Sequence, residues 1–386
     1  MRRFFNGLIN VFSSLGLSCV LLLLLALLTF LGTLEQVDHG LYEVQKKYFE
    51  SFFLVHDSGA VPIPLPGANL VLCVLAANIL LGGMIRLRRG WRTAGVFVTH
   101  IGIAMLLLSG FIKMYHSQDG HVTLYEGEQS AEFQSYYRWE LAVIEEAGNG
   151  ELTEHIVPQE KFLHASDGQS VTLSSPELPF ELEVANVMRN SRPMPKGPMF
   201  EVDVPVVDGI FLKEQDLVSV AEQNIAGAYV TAVTADGERQ EGLVWGVERH
   251  PFTVRADDKN WGITLRHERY PMPFSVRLDR FTKEEHPRTN MPSVFSSDVT
   301  VVEDQTSRGV EISMNEPLRD EGLVLYQASW GPSNARPGDP LFSTLAVVRN
   351  PADQYPLWAC WVIAIGLLLH FGLKLMRYIQ IEAKAS

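Results

Sequence analysis

Four long stretches of the chain carry almost no charged residues. They are Leu15–Leu34 and the segments at about 69–85, 93–112 and 355–373. A bilayer core about 30 Å thick requires roughly 20 apolar residues in a helix, and outside a barrel only helices satisfy their own backbone hydrogen bonds in lipid. The pattern therefore predicts four transmembrane helices.

Between the third and fourth apolar stretches, the pattern changes to short runs that alternate apolar and polar residues. Examples are WELAVI from Trp139, FELEVA from Phe180 and GVEISM from Gly309. A period of two is typical of half-buried strands in antiparallel sheets, and glycine-containing turns at 147–150 and 235–238 suit hairpins. The segment predicts a β-sandwich or a pair of β-subdomains.

Two parts of this segment depart from the strand pattern: a weak helical candidate at 215–226 and a proline-rich loop at 192–198.

The whole chain is predicted to be a membrane protein of three parts. Residues 1–114 hold three transmembrane helices. Residues 115–354 form a large extracytoplasmic β-rich domain inserted between helices 3 and 4, and 355–386 hold the fourth helix and a cytoplasmic tail.

Basic residues beside the spans predict the orientation, because cytoplasmic loops are enriched in Lys and Arg. They precede the first span at Arg2 and Arg3, fill the turn at 86–92 and follow the fourth span. We therefore expect both termini in the cytoplasm of a bacterial inner membrane, and the short loop at 35–68 outside. The first apolar run is long and lacks a small-x-small cleavage motif, so we expect a span rather than a signal peptide.

The charge of the β-rich segment excludes some partners. Residues 115–350 hold 20 Lys and Arg against 38 Asp and Glu, a net charge of −18, whereas the whole chain carries −13. An acidic domain repels nucleic acid and anionic headgroups. The cysteines Cys19, Cys73 and Cys360 lie far apart in apolar stretches, so they form no CxxC redox motif.

The β-rich segment contains no recognisable catalytic motif, and we predict no catalytic residue. It has no G-x-S-x-G, no H-E-x-x-H and no phosphate-binding glycine loop. Its histidines are scattered singly and are expected on the surface or in loops. His116 and His121 are an exception, because they follow the third span, where a ligand leaving the membrane would emerge.

Two histidines lie inside predicted spans, where an ionisable side chain is costly and indicates a functional site. His100 lies seven residues into the third span from its cytoplasmic end, and His370 lies near the cytoplasmic end of the fourth. A neutral imidazole among helices is a good axial ligand for haem iron. The alternative is a histidine hydrogen-bonded to a neighbouring helix, and His370 could simply be interfacial.

The arginines at 86–92 also have two interpretations. They could attract haem propionates, since Arg pairs well with carboxylates, but ordinary membrane topology already explains their presence. Asn78 is a polar residue in the second span and is expected to face another helix.

Several short segments resemble the ResB family, also called CcsB, of the System II cytochrome c biogenesis complex. The resemblance covers nearly the whole chain and includes a departure at Glu35, where many relatives have proline. The segments are LGTLEQ at 31–36, HIGI at 100–103, LYEGE at 124–128, FSSDV at 295–299, MNEPL at 314–318 and GLVLYQASW at 322–330.

The resemblance implies a role that depends on a partner, a ResC/CcsA-type multispan membrane protein. The complex would export haem b, held transiently and shared between subunits, and present it to apocytochrome c. His100 corresponds to the family's transmembrane histidine and would share the iron with a partner histidine, whereas nothing in the family supports His370. The chain lacks a Trp-Trp-Asp motif, so it resembles one half of a holocytochrome c synthase (haem lyase) and not a fused enzyme.

A second hypothesis is a membrane-anchored assembly or sensor module. In that case the outer β-domain binds protein and the helices only anchor it. An anchor needs no buried histidine, so the role of His100 distinguishes the two hypotheses.

Overall fold

The computed structural model describes residue 7 and residues 9–57, 61–87, 90–146, 152–166, 168–197, 202–285, 292–303, 306–332, 335–336 and 339–385. It divides into two compact units. The helical unit comprises Met1–Gln118 and Arg349–Ser386, and the β unit comprises Asp119–Val348. Four helical segments are long and apolar enough to cross a membrane, which confirms the predicted combination of four spans and a large β-rich domain.

Among the described residues, the helical unit contains four long α-helices, and two of them continue into π-helical turns. The helices are α1 (Leu15–Val44, followed by π-helical Gln45–Glu50), α2 (Ala68–Asn78, followed by π-helical Ile79–Ile85), α3 (Ala94–His116) and α4 (Tyr355–Ala385).

Helix α1 begins at a polar cap and changes direction at a glycine. The Ser14 side chain accepts a hydrogen bond from the Leu17 amide at 3.2 Å, which satisfies one of the free donors at the helix start. Gly40 has φ 77° and ψ 166°, a conformation that breaks the helix. The segment after Gly40 folds back, so that Val44 and Tyr48 pack against Gly32. The ordered segment thus extends well beyond residue 34, where the apolar stretch ends.

Polar side chains join the start of α1 to α2. Asn78 donates to the carbonyls of Phe12 at 2.8 Å and Ser14 at 3.1 Å, and accepts a hydrogen bond from Ser18 at 2.6 Å. Asn78 is buried, so these bonds satisfy a polar group that would otherwise be costly in lipid. The expectation that Asn78 faces another helix is confirmed.

Helices α3 and α4 approach closely because glycines lie at their contact. A Cβ atom on Gly95 would lie 2.4 Å from the backbone nitrogen of His370, and one on Gly102 would lie 2.5 Å from Cγ1 of Ile363. A Cβ atom on Gly366 would lie 2.5 Å from the Thr99 hydroxyl. Small residues at such positions let membrane helices pack backbone to backbone.

The strands of the protein are short apart from two long ones in the β unit. The helical unit contains β1 (Phe53–Asp57) and β2 (Pro62–Pro66). The others are β3 (Gln118–Tyr125), β4 (Gln129–Glu146), β5 (Leu152–Pro158), β6 (Ser170–Leu173), β7 (Phe180–Met188), β8 (Ser191–Pro195), β9 (Ile210–Glu214), β10 (Gly227–Thr234), β11 (Arg239–Trp245), β12 (Phe252–Ala256), β13 (Lys259–Glu285), β14 (Pro292–Glu303), β15 (Thr306–Ser313), β16 (Leu318–Asp320), β17 (Leu323–Gly331) and β18 (Phe342–Arg349).

One large sheet dominates the β unit. Its order is β15-β14-β13-β4-β3-β18-β17-β16, with β12 added beside β13 and β5 beside β4. A second sheet has the order β11-β10-β7-β6, and β8 pairs with β9. Strands β4 and β13 pair antiparallel along most of their length, with irregularities between His267 and Arg269 and between Pro271 and Val276.

Two hydrophobic cores share β4 and β13. The first surrounds Leu141, Ile263 and Leu265 and includes the four-stranded sheet. The second surrounds Phe133 and Val276 and includes the late strands. The predicted alternation therefore produces two packed cores along two continuous strands.

Three local predictions have different outcomes. The turn at 235–238 joins β10 to β11, with Gly237 at φ 85°, as expected. The turn at 147–150 lies outside the described residues. The helical candidate at 215–226 contains only a 3-10 turn, Ala221–Gln223, and the proline-rich loop begins as strand β8. Pro193 and Pro195 are tolerated because β8 belongs to a two-stranded sheet.

Candidate functional site

His100 lies in α3, and one of its ring nitrogens is hydrogen-bonded within the helix. Its Nδ1 atom lies 2.8 Å from the carbonyl oxygen of Val96. A carbonyl oxygen can only accept, so Nδ1 carries the proton and donates it. In the neutral ring, Nε2 then keeps its lone pair, the arrangement in which a histidine ligates a metal.

The ring of His100 packs against a glycine in the π-helical part of α2. A Cβ atom on Gly83 would lie 2.1 Å from Cδ2 of His100 and 2.7 Å from Nε2. Only a residue without a side chain leaves this space for the imidazole. π-helical turns are often found at functional sites, and here the turn presents Gly83 to the ring.

Arg86 belongs to the basic segment predicted beside the second span, and it is hydrogen-bonded at the start of α1. Its Nη1 atom donates to Asn10 Oδ1 and to Ser13 Oγ, each at 2.7 Å. This residue therefore joins α2 to the segment before α1. Residues 88 and 89 lie outside the described residues, so the propionate interpretation now rests on Arg92, which is exposed.

His370 occupies a different position from His100. Its backbone packs on Gly95, its ring lies edge-on to Phe371 at 5.4 Å, and its buried Nδ1 has no hydrogen-bond partner among the described residues. Among the residues that the structure describes, His370 and His100 share neither a hydrogen bond nor a ring contact. The structure does not bring the two predicted ligands together.

The two histidines predicted near the exit of the third span belong to different units. His116 ends α3, whereas His121 lies in β3, where its ring stacks on Tyr136 at 4.9 Å. His267 in β13 stacks on Trp139 at 4.0 Å. The buried Nδ1 atoms of His121 and His267 have no partner among the described residues.

The expectation of a surface or loop histidine is therefore wrong for His267, and His121 is likewise shielded within a strand. Burial lowers the pKa of His267 to about 4, with a smaller contribution from the charge of His121. Burial also lowers the pKa of His121. Both rings are therefore neutral at neutral pH. His267 looks isolated in the sequence, but it is covered because β13 pairs with β4 along most of the length of β4.

A cluster at the end of α1 has no counterpart among the predicted ligands. Glu35 accepts hydrogen bonds from Lys47 Nζ and Tyr48 Oη, both at 2.6 Å. Tyr48 Oη also lies 2.5 Å from Nδ1 of His56, which is 3.5 Å from the Glu35 carboxylate. The unexpected glutamate in LGTLEQ was the signal in the sequence, but its partners depend on the fold-back at Gly40.

Within the described ranges, no group of three or more His, Cys, Asp or Glu side chains is arranged to hold a metal ion. The cysteines Cys19, Cys73 and Cys360 are free thiols.

Comparison with known proteins gives consistent names. A model described as the ResB-like family matches residues 240–339. The cytochrome c biogenesis protein CcsB of Trichormus variabilis is 31% identical over 98 residues, which is 24% of this chain and 21% of that protein. Protein NrfI of Wolinella succinogenes is 21% identical over 300 residues, which is 77% of this chain and 29% of that protein. The matches thus span less than a third of these relatives' own length.

Proposed function

Because this chain belongs to the ResB-like family, we propose that it is a haem-handling subunit of a System II cytochrome c synthase. In this role it carries haem b through the membrane and presents it for covalent attachment to apocytochrome c. The haem is cargo, and attachment takes place in the complex with a partner. The chain contributes binding and orientation.

The geometry of His100 is the observation that carries this proposal. The bond from Nδ1 to Val96 holds the ring in the tautomer that presents Nε2, and Gly83 leaves room for the ring. His100 Nε2 would hold the haem iron from this chain, and a histidine of the partner would complete its ligation. His370 remains a weaker candidate, because its backbone supports helix packing at Gly95.

The proposed partner is a ResC/CcsA-type multispan membrane protein. Exposed apolar residues of α4, among them Trp358, Trp361 and Leu368, provide a surface that lipid or neighbouring helices can cover. Apocytochrome c is the proposed acceptor, and the acidic β unit argues against nucleic acid as a ligand.

We further propose a bacterial inner membrane location with both termini cytoplasmic and the β unit outside. Basic residues at the start of the chain, at 86–92 and after the fourth span support this orientation. Alkaline phosphatase fused after Lys46 or within Asp119–Val348 should be active, and fusions at Gly90 or at the C-terminus should be inactive. A fluorescent cytoplasmic reporter should give the reverse pattern, and an active phosphatase at the C-terminus would overturn this orientation.

Deletion of the gene in its native host tests the function. Staining for covalently bound haem should no longer detect c-type cytochromes, while apocytochrome polypeptides and total cellular haem persist. Expression of the wild-type chain should restore the staining. Normal staining after deletion would refute the proposal. Lost staining together with a purified native complex that never contains haem would favour the anchor hypothesis instead.

A further inference from the structure

The fold-back after α1 builds a hydrogen-bonded chain of four side chains. Lys47 and Tyr48 donate to opposite oxygens of Glu35, at 2.6 Å each, and Tyr48 Oη contacts Nδ1 of His56 at 2.5 Å. Tyr48 is completely buried, and the Glu35 side chain is 14% exposed. The chain is therefore a built part of the structure, because a buried carboxylate requires such partners.

These contacts determine the tautomer of His56. Glu35 paired with Lys47 is ionised and accepts the only hydroxyl proton of Tyr48. Tyr48 Oη must then accept from His56, so Nδ1 of His56 carries a proton. Nε2 keeps its lone pair in the neutral ring, and it makes no hydrogen bond with any residue that the structure describes. Metal-ligating histidines are held by carboxylates in this way.

The surroundings of His56 favour a porphyrin iron over a bare metal ion. His56 lies in β1 opposite Ile63 of β2, and its side chain is 19% exposed. A zinc ion requires three or four protein ligands, and the described part of the chain has no such group here. A porphyrin supplies four nitrogens itself and needs only one or two from protein. Ile63, directly across from the histidine, is exposed and apolar, whereas Phe53, Val55 and the acidic Asp57 lie on the other face of β1.

His56 and His100 lie towards opposite ends of α3. The Asn69 side chain donates to the Glu50 carbonyl at 3.2 Å and to Tyr115 Oη at 3.0 Å, which places the segment before β1 beside the end of α3. His100 lies 15 residues before Tyr115. At 1.5 Å per residue this corresponds to about 22 Å along the helix. The two imidazoles therefore belong to separate sites.

We propose that His56 Nε2 is an axial ligand for haem iron at a second site, held in position by Tyr48 and Glu35. This inference rests on the proposed haem-handling function and extends it. His100 receives haem near one end of the helical unit, and His56 receives it near the other. Glu35 and Tyr48 are positioning residues, and the exposed side chain of Ile63, across from His56, contacts the porphyrin ring.

Hemin titration of the purified full chain in detergent tests this proposal through the Soret band and the spin state of the iron. The wild type should bind two equivalents. His56→Ala and His56→Gln should each lose one equivalent, and free imidazole should restore it to His56→Ala. The glutamine variant can still hydrogen-bond to Tyr48, so it separates ligation from folding. Tyr48→Phe should weaken this site by about tenfold while retaining the haem spectrum of the wild type.

His39→Ala is the matched control. His39 lies 4.0 Å from the same carboxylate but its side chain is 63% exposed, and its replacement should leave both equivalents. Unchanged titration of His56→Gln overturns the second site. If His100→Ala still loses an equivalent in that case, the proposed function stands. If His56→Gln loses an equivalent and His100→Ala does not, the His56 site stands and the role of His100 fails.

Discussion

Replacing His100 by alanine should lower the haem content of the purified complex and strongly reduce holocytochrome c. The variant removes the proposed ligand atom Nε2 and the hydrogen bond from Nδ1 to Val96, and it leaves a space of imidazole size beside Gly83. Removing one of two axial ligands should weaken haem retention by at least about tenfold. Added imidazole should enter this space and restore part of both signals.

The His370→Ala variant is the comparison. His370 contacts α3 through its backbone, which alanine preserves, so haem content should change little. Normal haem content and normal cytochrome maturation in His100→Ala would show that His100 is not a ligand. Loss of the His100→Ala protein from the membrane, with no recovery in imidazole, would support a purely structural histidine.

Placing a side chain at Gly83 should have an effect nearly as large, although this residue has no ligand atom. A Cβ atom 2.1 Å from Cδ2 of His100 forces the ring or the π-helical turn to move. Overpacking of this kind costs about 1–3 kcal/mol. Gly83→Ala should therefore retain the fold but bind haem about tenfold more weakly, with a changed low-spin spectrum.

Gly110→Ala is the matched control, because no atom lies within 4 Å of a Cβ atom built on Gly110. The control should bind haem like the wild type. Membrane abundance and thermal stability should be measured for both variants. A Gly83→Ala protein with unchanged affinity and spectrum would contradict the positioning of His100 by this glycine.

The spans could be predicted because their composition alone decides their environment. Leu15, Ala68 and Tyr355 begin helices close to where the apolar stretches begin. The fold-back at Gly40 could not be predicted, since the residues around it are polar and helical in pattern. Its stability depends on Glu35 meeting Tyr48, a contact that only tertiary structure creates.

The candidate site was predictable to a similar degree. An ionisable histidine is easily recognised within an apolar span, so His100 could be found from the sequence. Gly83 could not, because its role depends on how α2 meets α3. His267 was hidden for another reason, namely that β13 is 27 residues long and pairs with β4 across a register shift. Local alternation describes the strand but does not reveal which residues cover it.

The order of strands in the large sheet has a consequence for biosynthesis. β3 is the first strand of the β unit to be made and β18 is the last, yet the two are neighbours in the sheet. The hydroxyls of Thr123 and Thr344 approach to 2.9 Å across this pair. Until residue 349 has been translated, β3 has an edge without its final partner, and such edges invite aggregation. The sheet can close only after synthesis of the whole β unit, so a nascent chain stalled before β18 should need chaperone protection.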